Sequence, residues 1–291
     1  MKAARFKYHA PDSVVAAVAL LGTHENARIL AGGQSLMPML NLRVAAPDHL
    51  VDLRRITALR CIEERGETLR IGAMTTQRMI EHSPQVAQHC PLLAEGIALV
   101  GHQQTRNRGT IGGSLCHLDP GAELPVIACA LDARLNVAGP DGERSIAFDD
   151  FAEGYLTTRL TADEVLTSID WPKAPKRTGV AFLEFNRRPA DFAIVSVAVQ
   201  INLGADGSIA RARIALGGIQ PTPLRLPSAE AILEGVSPAA LRTHWGHDAV
   251  ADISCDGDAL YPPDYRHHLC GALLHRAVLA ACAKAQRSSD V

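Results

Sequence analysis

The segment AGGQSLMPMLNLR, Ala31 to Arg43, decides how the beginning of this 291-residue chain folds. It follows the apolar run Ala27 to Leu30, which predicts a short buried strand, and it leads into a helical pattern from Leu36 to Leu42. Two glycines at the junction permit a backbone turn with positive φ and let peptide N–H groups approach an anion. A diphosphate at the start of the following helix is one interpretation, and an ordinary glycine turn is the other.

A second glycine stretch, GTIGGSLCHLDPGAELP from Gly109 to Pro125, strengthens the first interpretation. It again places β-branched residues before two glycines and a serine, in Thr110 to Ser114. Neither stretch has the lysine that follows the glycines of a phosphate-binding P-loop, and neither has GxGxxG spacing. Two such turns, far apart in sequence, could close on one ligand from two sides.

Together these motifs resemble the FAD-binding medium subunit of the molybdenum hydroxylases, the family of xanthine dehydrogenase and carbon monoxide dehydrogenase. The flavin loops of that family read approximately AGG-x-S-L-x-P and T-[IV]-G-G-[NS], and both occur here in the same order. The resemblance continues in IGAMTT, RRPADFAIVSVA and ARIALGGIQPTPLRL, which are Ile71 to Thr76, Arg187 to Ala198 and Ala212 to Leu226. It therefore covers nearly the whole chain.

The resemblance implies an α+β fold with two domains. An N-terminal FAD-binding domain of the vanillyl-alcohol-oxidase or PCMH type is expected over residues 1–173, with two α/β subdomains at about 1–55 and 56–173. A C-terminal antiparallel sheet with packed helices, similar to the carbon monoxide dehydrogenase flavoprotein, is expected over residues 178–291. The Pro-rich, basic segment Pro172 to Arg177 is the predicted junction.

Residue patterns support the C-terminal sheet independently. Val195 to Leu203 alternates apolar residues with smaller or polar ones, which predicts a strand, and Gly204 to Gly207 predicts a hairpin turn. The Ala- and Leu-rich segment Tyr265 to Gln286 predicts a long amphipathic helix on this sheet. The return strand is predicted to place alternate residues on one face, namely Ala210, Ala212, Ile214 and Leu216.

Composition excludes several classes of protein. A formal net charge of -2 offers no positive field for nucleic acid or an anionic membrane, and no apolar run approaches the roughly 20 residues of a membrane span. The seven cysteines contain no CxxC pair, so neither an iron–sulfur cluster nor a structural zinc is indicated. Free thiols and the absence of a leader pattern predict a cytoplasmic protein.

No side-chain constellation for acid–base, nucleophilic or metal catalysis is evident. The sequence has no HExxH motif, and the adjacent histidines His267 and His268 would point in different directions on a helix, so they are predicted to face solvent or an interface. No catalytic side chain and no metal ligand are therefore predicted. A bound flavin would carry the redox chemistry, while the protein positions it and tunes its potential.

The resemblance also implies how the flavin is held. Backbone N–H groups of both loops would bind the diphosphate, with the hydroxyl groups of Ser35 and Ser114 as further donors. Gln34 cannot form the covalent flavin bond that His or Cys forms in the wider class, so non-covalent FAD is predicted; Cys116 and His117 keep a covalent link open as the alternative. The predicted cofactor-binding residues are Ala31, Gly32, Gly33, Gln34, Ser35, Leu36, Val100, Thr110, Ile111, Gly112, Gly113, Ser114, His117, Asp119, Glu123 and Leu166.

Some of these residues have a second interpretation. Glu123 matches an acidic position that faces the ribityl chain, whereas Asp119 before Pro120 also fits a rigid turn. Leu166 matches a position whose backbone contacts the flavin ring, and it equally fits the core of a strand. A lysine found in similar proteins near Leu183 is absent, so a cationic contact would have to come from elsewhere, for example Arg187 and Arg188.

By the same resemblance, the chain is an electron-transfer subunit. Electrons would arrive from a 2Fe-2S small subunit and leave to NAD or another acceptor, while a large subunit with a molybdenum cofactor oxidises the substrate. The expected assembly is a dimer of heterotrimers. Two alternatives stay open at this point: a self-sufficient flavin oxidase of the same fold, and a non-catalytic assembly subunit that has lost the flavin. Intact glycine loops argue against the second.

Overall fold

The computed structural model describes residues 1–241 and 245–288. Its first unit is a parallel sheet with the strand order β1-β3-β2, covered by a helix. That helix begins after Ser13, whose hydroxyl accepts a hydrogen bond from the Ala16 N–H, and it packs Ala17 and Leu21 against Val51. The elements are β1 (Lys7–His9), α1 (Val14–Thr23), β2 (Ala27–Leu30), α2 (Leu36–Leu42) and β3 (His49–Asp52).

This opening confirms the predicted strand, glycine turn and short helix. Observed and predicted bounds agree for β2 and α2. The glycine loop directly follows Leu30, the last residue of β2. It therefore lies at the edge of the sheet where the carboxyl ends of the parallel strands meet.

The second unit is a five-stranded antiparallel sheet with the order β4-β5-β10-β6-β7, and helices cover one face. A large core of aliphatic and aromatic side chains, including Trp171 and Phe151, lies between the two layers. The elements are β4 (Ile62–Arg65), β5 (Thr68–Gly72), α3 (Gln77–Glu81), α4 (Pro84–His89), α5 (Pro91–Ile97), α6 (Gln103–Arg108), α7 (Ile111–His117), α8 (Glu123–Ala130), β6 (Arg134–Gly139), β7 (Gly142–Ala147), α9 (Phe148–Phe151), β8 (Ala152–Gly154), β9 (Thr157–Thr158) and β10 (Val165–Pro172).

The third unit is an antiparallel sheet of four strands in the order β11-β12-β13-β14. The long C-terminal helix covers one face, and α5 and α8 of the second unit cover the other. The elements are β11 (Thr178–Phe185), β12 (Val195–Leu203), β13 (Ile209–Gly217), β14 (Leu224–Arg225), α10 (Pro227–Leu233), α11 (Trp245–Ala249) and α12 (Pro263–Arg287). The predicted C-terminal sheet and helix are confirmed.

Burial along β12 and β13 differs from the simple alternation. All nine residues of β12 are buried, because helices cover both faces of the strand. In β13 the predicted position of Ala210 is wrong: the side chain is exposed, because a bulge between Ile209 and Arg211 takes Ala210 out of register. The remaining predicted residues, Ala212, Ile214 and Leu216, are buried as expected.

Several polar contacts connect the second and third units. Glu95 of α5 accepts a hydrogen bond from the Phe182 N–H at 2.9 Å and forms an ion pair with Lys284 of α12. Val180 and Phe182 belong to the same continuous core as α5 and α8. The two units therefore share a hydrophobic core, which fixes the second glycine stretch relative to the C-terminal sheet.

The structure also shows the state of the cysteines and the character of the helices. All seven cysteines are free, four of them buried and three partly buried, as the sequence predicts. Among the described residues, no helix combines the length and the apolarity needed to cross a lipid bilayer.

Candidate functional site

The first glycine loop turns sharply between β2 and α2. Gly33 has a φ of 74°, in the left-handed region that glycine adopts at little cost. The turn is closed by the Met37 N–H, which donates to the Gly33 carbonyl at 3.1 Å, and by the Gln34 side-chain amide, which donates to the Gly32 carbonyl at 3.3 Å. Ser35 stands at the N-cap of α2 without using its hydroxyl as a cap. That hydroxyl is therefore available to a ligand.

Backbone donors of this loop have no acceptor in the part of the chain that the structure describes. The peptide N–H groups of Gly32, Gly33, Gln34 and Ser35 take part in none of the hydrogen bonds among residues 1–241 and 245–288. The first turn of α2 adds the N–H of Leu36, because the Met37 and Met39 N–H groups donate to the Gly33 and Ser35 carbonyls and Pro38 has no N–H. Consecutive free N–H groups next to a glycine turn suit an anion such as a diphosphate.

The second glycine stretch is the first turn of a helix. Thr110 is the N-cap of α7, and its hydroxyl accepts from the Gly113 N–H at 3.1 Å. The Ser114 N–H donates to the Thr110 carbonyl at 3.1 Å, and the Ile111 N–H donates to the Thr75 carbonyl at 3.1 Å. These donors already have acceptors within the chain, so this stretch differs from the first loop; contact of Thr110 to Ser114 with a cofactor stays a prediction.

Glycines in this stretch allow close packing instead. The Gly112 N–H donates to the Ala73 carbonyl at 2.9 Å, and a Cβ on Gly112 would lie 2.6 Å from the Cβ of Ala73. Gly113 faces the first loop, since a Cβ there would lie 3.3 Å from the Cβ of Ala31. A side chain at either position would push α7 away from its neighbours.

The structure brings the two loops into direct contact. A Cβ on Gly32 would overlap the carbonyl oxygen of Arg108 and would lie 2.8 Å from the Cα of Gly109. The first loop, with its free donors, is thus in backbone contact with the segment that leads into α7. The junction of these two backbones is the candidate binding site.

A partly buried ion pair holds the segment before α7 in place. Arg106 donates to both carboxylate oxygens of Glu81, at 3.1 and 3.0 Å, and to the carbonyls of Val100 and Gly101, at 3.1 and 3.0 Å. The side chains of Arg106 and Glu81 are 12% and 17% exposed, so solvent screens this pair little. The Val100 side chain is buried, and its carbonyl is engaged by this arginine.

Two carboxyl groups follow α7. Asp119 accepts a hydrogen bond from the Gly121 N–H at 2.9 Å and so forms the rigid turn that was one of its two interpretations. Glu123 begins α8 and is only 4% exposed; burial, with smaller contributions from the charges of Glu184 and Asp119, raises its pKa to about 8. At neutral pH the Glu123 carboxyl is therefore mostly protonated and can donate as well as accept a hydrogen bond.

The remaining predicted residues surround the same region. Leu36 opens α2, and His117 lies half-buried in the last turn of α7. Leu166 is buried in β10, beside a bulge, and the next residue in the chain, Thr167, accepts a hydrogen bond from the Ala73 N–H at 2.9 Å. Ala73 in turn accepts a hydrogen bond from the Gly112 N–H, so the segment of β10 that contains Leu166 is connected to the start of α7. Contact of these residues with a cofactor stays a prediction.

Two residues near the site were not selected from the sequence. Phe192 is 60% exposed, on a loop that is fixed to Gly121 by a hydrogen bond from the Ala193 N–H at 3.2 Å. An exposed aromatic ring there offers a flat face to a planar ligand. Arg108, whose backbone contacts Gly32, is also exposed and supplies a positive charge beside the first loop. The signal for Phe192 was an aromatic residue inside a polar loop, RRPADFA.

Family profiles match the chain over most of its length. The profile "FAD binding domain in molybdopterin dehydrogenase" matches residues 4–174, and the profile "CO dehydrogenase flavoprotein C-terminal domain" matches residues 180–281. Among curated proteins, the carbon monoxide dehydrogenase medium chain of Hydrogenophaga pseudoflava is 39% identical, covering 96% of this chain and 98% of its own length. The nicotine 6-hydroxylase medium subunit of Paenarthrobacter nicotinovorans is 38% identical, covering 98% of this chain and 100% of its own.

Solved structures give the same result. A chain of the carbon monoxide dehydrogenase from Hydrogenophaga pseudoflava superposes with a TM-score of 0.92 at 40% identity, covering 98% of this chain and 99% of that one. A chain of quinoline 2-oxidoreductase from Pseudomonas putida 86 also has a TM-score of 0.92, at 36% identity and with coverages of 98% and 99%. The fold expected from the resemblance is therefore confirmed.

Proposed function

Since this chain belongs to the family of FAD-binding medium subunits of the molybdenum hydroxylases, which are oxidoreductases, we propose that it holds one FAD where its two glycine loops meet and works as an electron-transfer subunit. We assign residues 1–173, with subdomains of about 1–55 and 56–173, to FAD binding and residues 178–291 to the C-terminal domain. The observation that carries this proposal is the run of free backbone N–H groups from Gly32 to Ser35, which lies against the backbone of Arg108 and Gly109.

The residues present fit a flavin dinucleotide. Free N–H groups of the first loop would bind the diphosphate, with the unused hydroxyl of Ser35 as a further donor. Small residues at Gly113 and Ala31 let the start of α7 pack closely beside the first loop, which brings both segments to one ligand. Ser114 lies half-buried in the first turn of α7, where its hydroxyl can add to the site.

Other side chains of the site would position the rest of the cofactor. Glu123, protonated by burial, can donate a hydrogen bond to a ribityl hydroxyl, and Phe192 can pack against the ring system. When bound, FAD supplies a redox group that takes up electrons singly and releases them in pairs. The chain itself contributes binding, orientation and exclusion of water.

Non-covalent attachment is part of the proposal. Cys116 packs against the central core, and burial raises its pKa to about 12, so that very little thiolate exists at neutral pH to attack a flavin. Gln34 offers no nucleophile at the first loop. Acid precipitation should therefore release all of the flavin into the supernatant, whereas flavin retained in the pellet would support a covalent link through Cys116 or His117.

We further propose that the electrons come from a 2Fe-2S small subunit and leave to NAD or another acceptor, while a molybdenum-containing large subunit oxidises the substrate. The relatives named above are a medium chain of carbon monoxide dehydrogenase and a medium subunit of nicotine 6-hydroxylase, names that describe one chain of a multi-subunit enzyme. The seven cysteines are free, buried or half-buried thiols, of which Cys255 and Cys270 are in contact as a pair, whereas a 2Fe-2S cluster needs four thiolates; this supports placing the iron–sulfur centres in partner chains. A dimer of heterotrimers in the cytoplasm is the assembly that we propose.

Purification of the assembly through a tag on this chain tests the partners. The proposal expects two co-purifying chains and bound FAD, iron, acid-labile sulfide and molybdenum in fixed ratios to this chain. Anaerobic addition of NADH should bleach the flavin absorption if NAD is the acceptor. A chain that purifies alone and oxidises a small substrate with oxygen would instead establish the self-sufficient oxidase.

A further inference from the structure

Three histidines from separate elements converge on one face of the first unit. His9 ends β1, His24 follows the last turn of α1, and His49 begins β3. Lys7 of β1 pairs with His49, so His9, two residues further along β1, lies on the same face as His49. Helix α1 covers that face and brings His24 over it. One ring nitrogen from each histidine lies within 4.8 Å of the other two.

The three rings form a compact group with few hydrogen bonds. His9 Nε2 and His49 Nδ1 are 2.9 Å apart, which is a hydrogen bond in which one ring donates and the other accepts. Ring centroids are 4.0 Å apart for His24 and His49 and 5.0 Å apart for His9 and His24. Among the described residues, no hydrogen-bond partner is present for the His24 ring. The ring planes are nearly parallel, with interplanar angles of 14° to 28°, so the nitrogens of the three half-buried imidazoles share one small volume while their in-plane lone pairs point along separate planes.

This arrangement matches the dimensions of a metal site. Zinc–nitrogen bonds of about 2.0–2.1 Å in a tetrahedron place the ligand nitrogens about 3.3 Å apart. Nitrogens already within 4.8 Å of one another reach that spacing, and turn toward one ion, when the stacked rings rotate about their side-chain torsions and the hydrogen bond between His9 and His49 opens.

The ligand set indicates the class of metal. Three imidazoles without a thiolate or a carboxylate suit zinc, copper(II) or nickel(II), whereas calcium and magnesium require oxygen ligands. All three histidines are half-buried, so solvent can supply the fourth ligand. We propose that His9, His24 and His49 together bind one divalent transition-metal ion, which connects β1, α1 and β3.

The cluster is separate from the candidate flavin site. His49 pairs with Ala27, at the start of β2, whereas the first glycine loop follows Leu30, at the end of the same strand. Strand β1, which carries His9, and strand β2, which leads into the loop, lie on opposite sides of β3, so the metal would connect β1, α1 and β3 on the side of the sheet away from the loop. Sequence inspection does not reveal the cluster, because its members are far apart in sequence and meet only through the β-α-β topology.

Zinc binding by the full-length chain tests the proposal. After dialysis against EDTA, the wild type should bind one zinc ion per chain in titration calorimetry, and zinc should raise its melting temperature. His24→Gln should weaken zinc binding at least tenfold and abolish that rise, while folding normally, because the His24 ring makes no hydrogen bond within the described chain. His268→Gln, which removes an exposed histidine beside His247, is the matched control and should behave as the wild type.

Cobalt(II) supplies a second readout. The wild type and His268→Gln should show visible bands of cobalt bound to nitrogen ligands, and His24→Gln should not. Zinc held by cysteine thiols alone would bind equally to all three proteins, and that result would overturn the proposal. Absence of zinc binding by the wild type would overturn it as well. Neither outcome depends on bound flavin, so the proposed function is tested separately.

Discussion

Replacing Gly32 by alanine is the most informative perturbation of the candidate flavin site. The new Cβ would overlap the Arg108 carbonyl oxygen and lie 2.8 Å from the Gly109 Cα, and both of these are backbone atoms. Ordinary carbon–carbon contacts need about 3.5–4.0 Å, so one of the two backbones must move by about 1 Å. The two loops would then separate at the junction where the diphosphate is proposed to bind.

The expected loss of affinity follows from this displacement. Forcing an extra methyl group into a packed site costs about 1–3 kcal/mol. If the loops separate in the variant, they must come back together to bind FAD, and binding then includes the same free-energy cost. A cost of this size weakens FAD binding by about tenfold to a hundredfold. Gly22→Ala is the matched control, because a Cβ there meets nothing within 4 Å.

Flavin fluorescence quenching on the apoprotein measures both affinities, and thermal unfolding followed by circular dichroism checks the fold. The reasoning predicts a weaker complex for Gly32→Ala, an unchanged complex for Gly22→Ala, and cooperative unfolding for both. If Gly32→Ala is folded and binds FAD as tightly as the wild type, the two loops do not form the diphosphate site.

Three further predictions concern the same region. Gly33→Val should reduce FAD binding far more than Ser35→Ala, because Gly33 has a φ of 74° whereas Ser35 contributes one hydroxyl among several backbone donors; equal losses would contradict this. Burial raises the pKa of Glu123 from 4.5 to about 8, so the folded state keeps a proton that the unfolded state releases, and stability falls as pH rises from about 4.5 to 8. Glu123→Gln should therefore gain melting temperature relative to the wild type between pH 5 and pH 8, by about 2 °C or more in calorimetry, and a constant difference would argue against a buried neutral carboxyl. Arg106→Ala should lower the free energy of unfolding in urea by about 2 kcal/mol, because it removes two hydrogen bonds from a partly buried carboxylate, which keeps only Arg78 as its cationic partner, and two from the carbonyls of Val100 and Gly101. Arg65→Ala, which breaks an exposed ion pair, should change it by less than about 0.5 kcal/mol, and similar values for the two variants would refute the role of burial.

The first glycine loop could be predicted because its signals are local. Apolar residues of β2, two glycines and the helical pattern of α2 are adjacent in sequence, and the structure reproduces their bounds. The second stretch has the same local pattern but a different structure. There Thr110 caps a helix, and the glycines serve packing against Ala73 and Ala31, which sequence spacing does not reveal.

Other features depend on contacts between distant segments. Strand β4 is an edge strand with three exposed charged residues, so it has no apolar alternation to detect. The bulge that exposes Ala210 arises from the pairing of β13 with β12. Burial of Gln200 and Asn202 follows from helices on both faces of β12, and the convergence of Arg106 and Glu81 likewise required the folded chain.

Phe192 and the three histidines show the limit of motif reasoning for sites. Phe192 lies inside a stretch that the resemblance includes, yet only its 60% exposure and the hydrogen bond between Ala193 and Gly121 place it beside the loop that joins α7 to α8. The histidines belong to no motif, and their meeting depends on the parallel register of β1 and β3.

Identification of the flavin that the purified chain binds tests the central claim most directly. The chain would be expressed alone, its visible absorption spectrum recorded, the protein precipitated with acid, and the released compound identified and quantified by chromatography. The two-loop site predicts oxidised-flavin bands and release of about one FAD per chain, with FMN bound much more weakly because it lacks the diphosphate. A colourless chain that takes up neither FAD nor FMN after their addition would contradict the site.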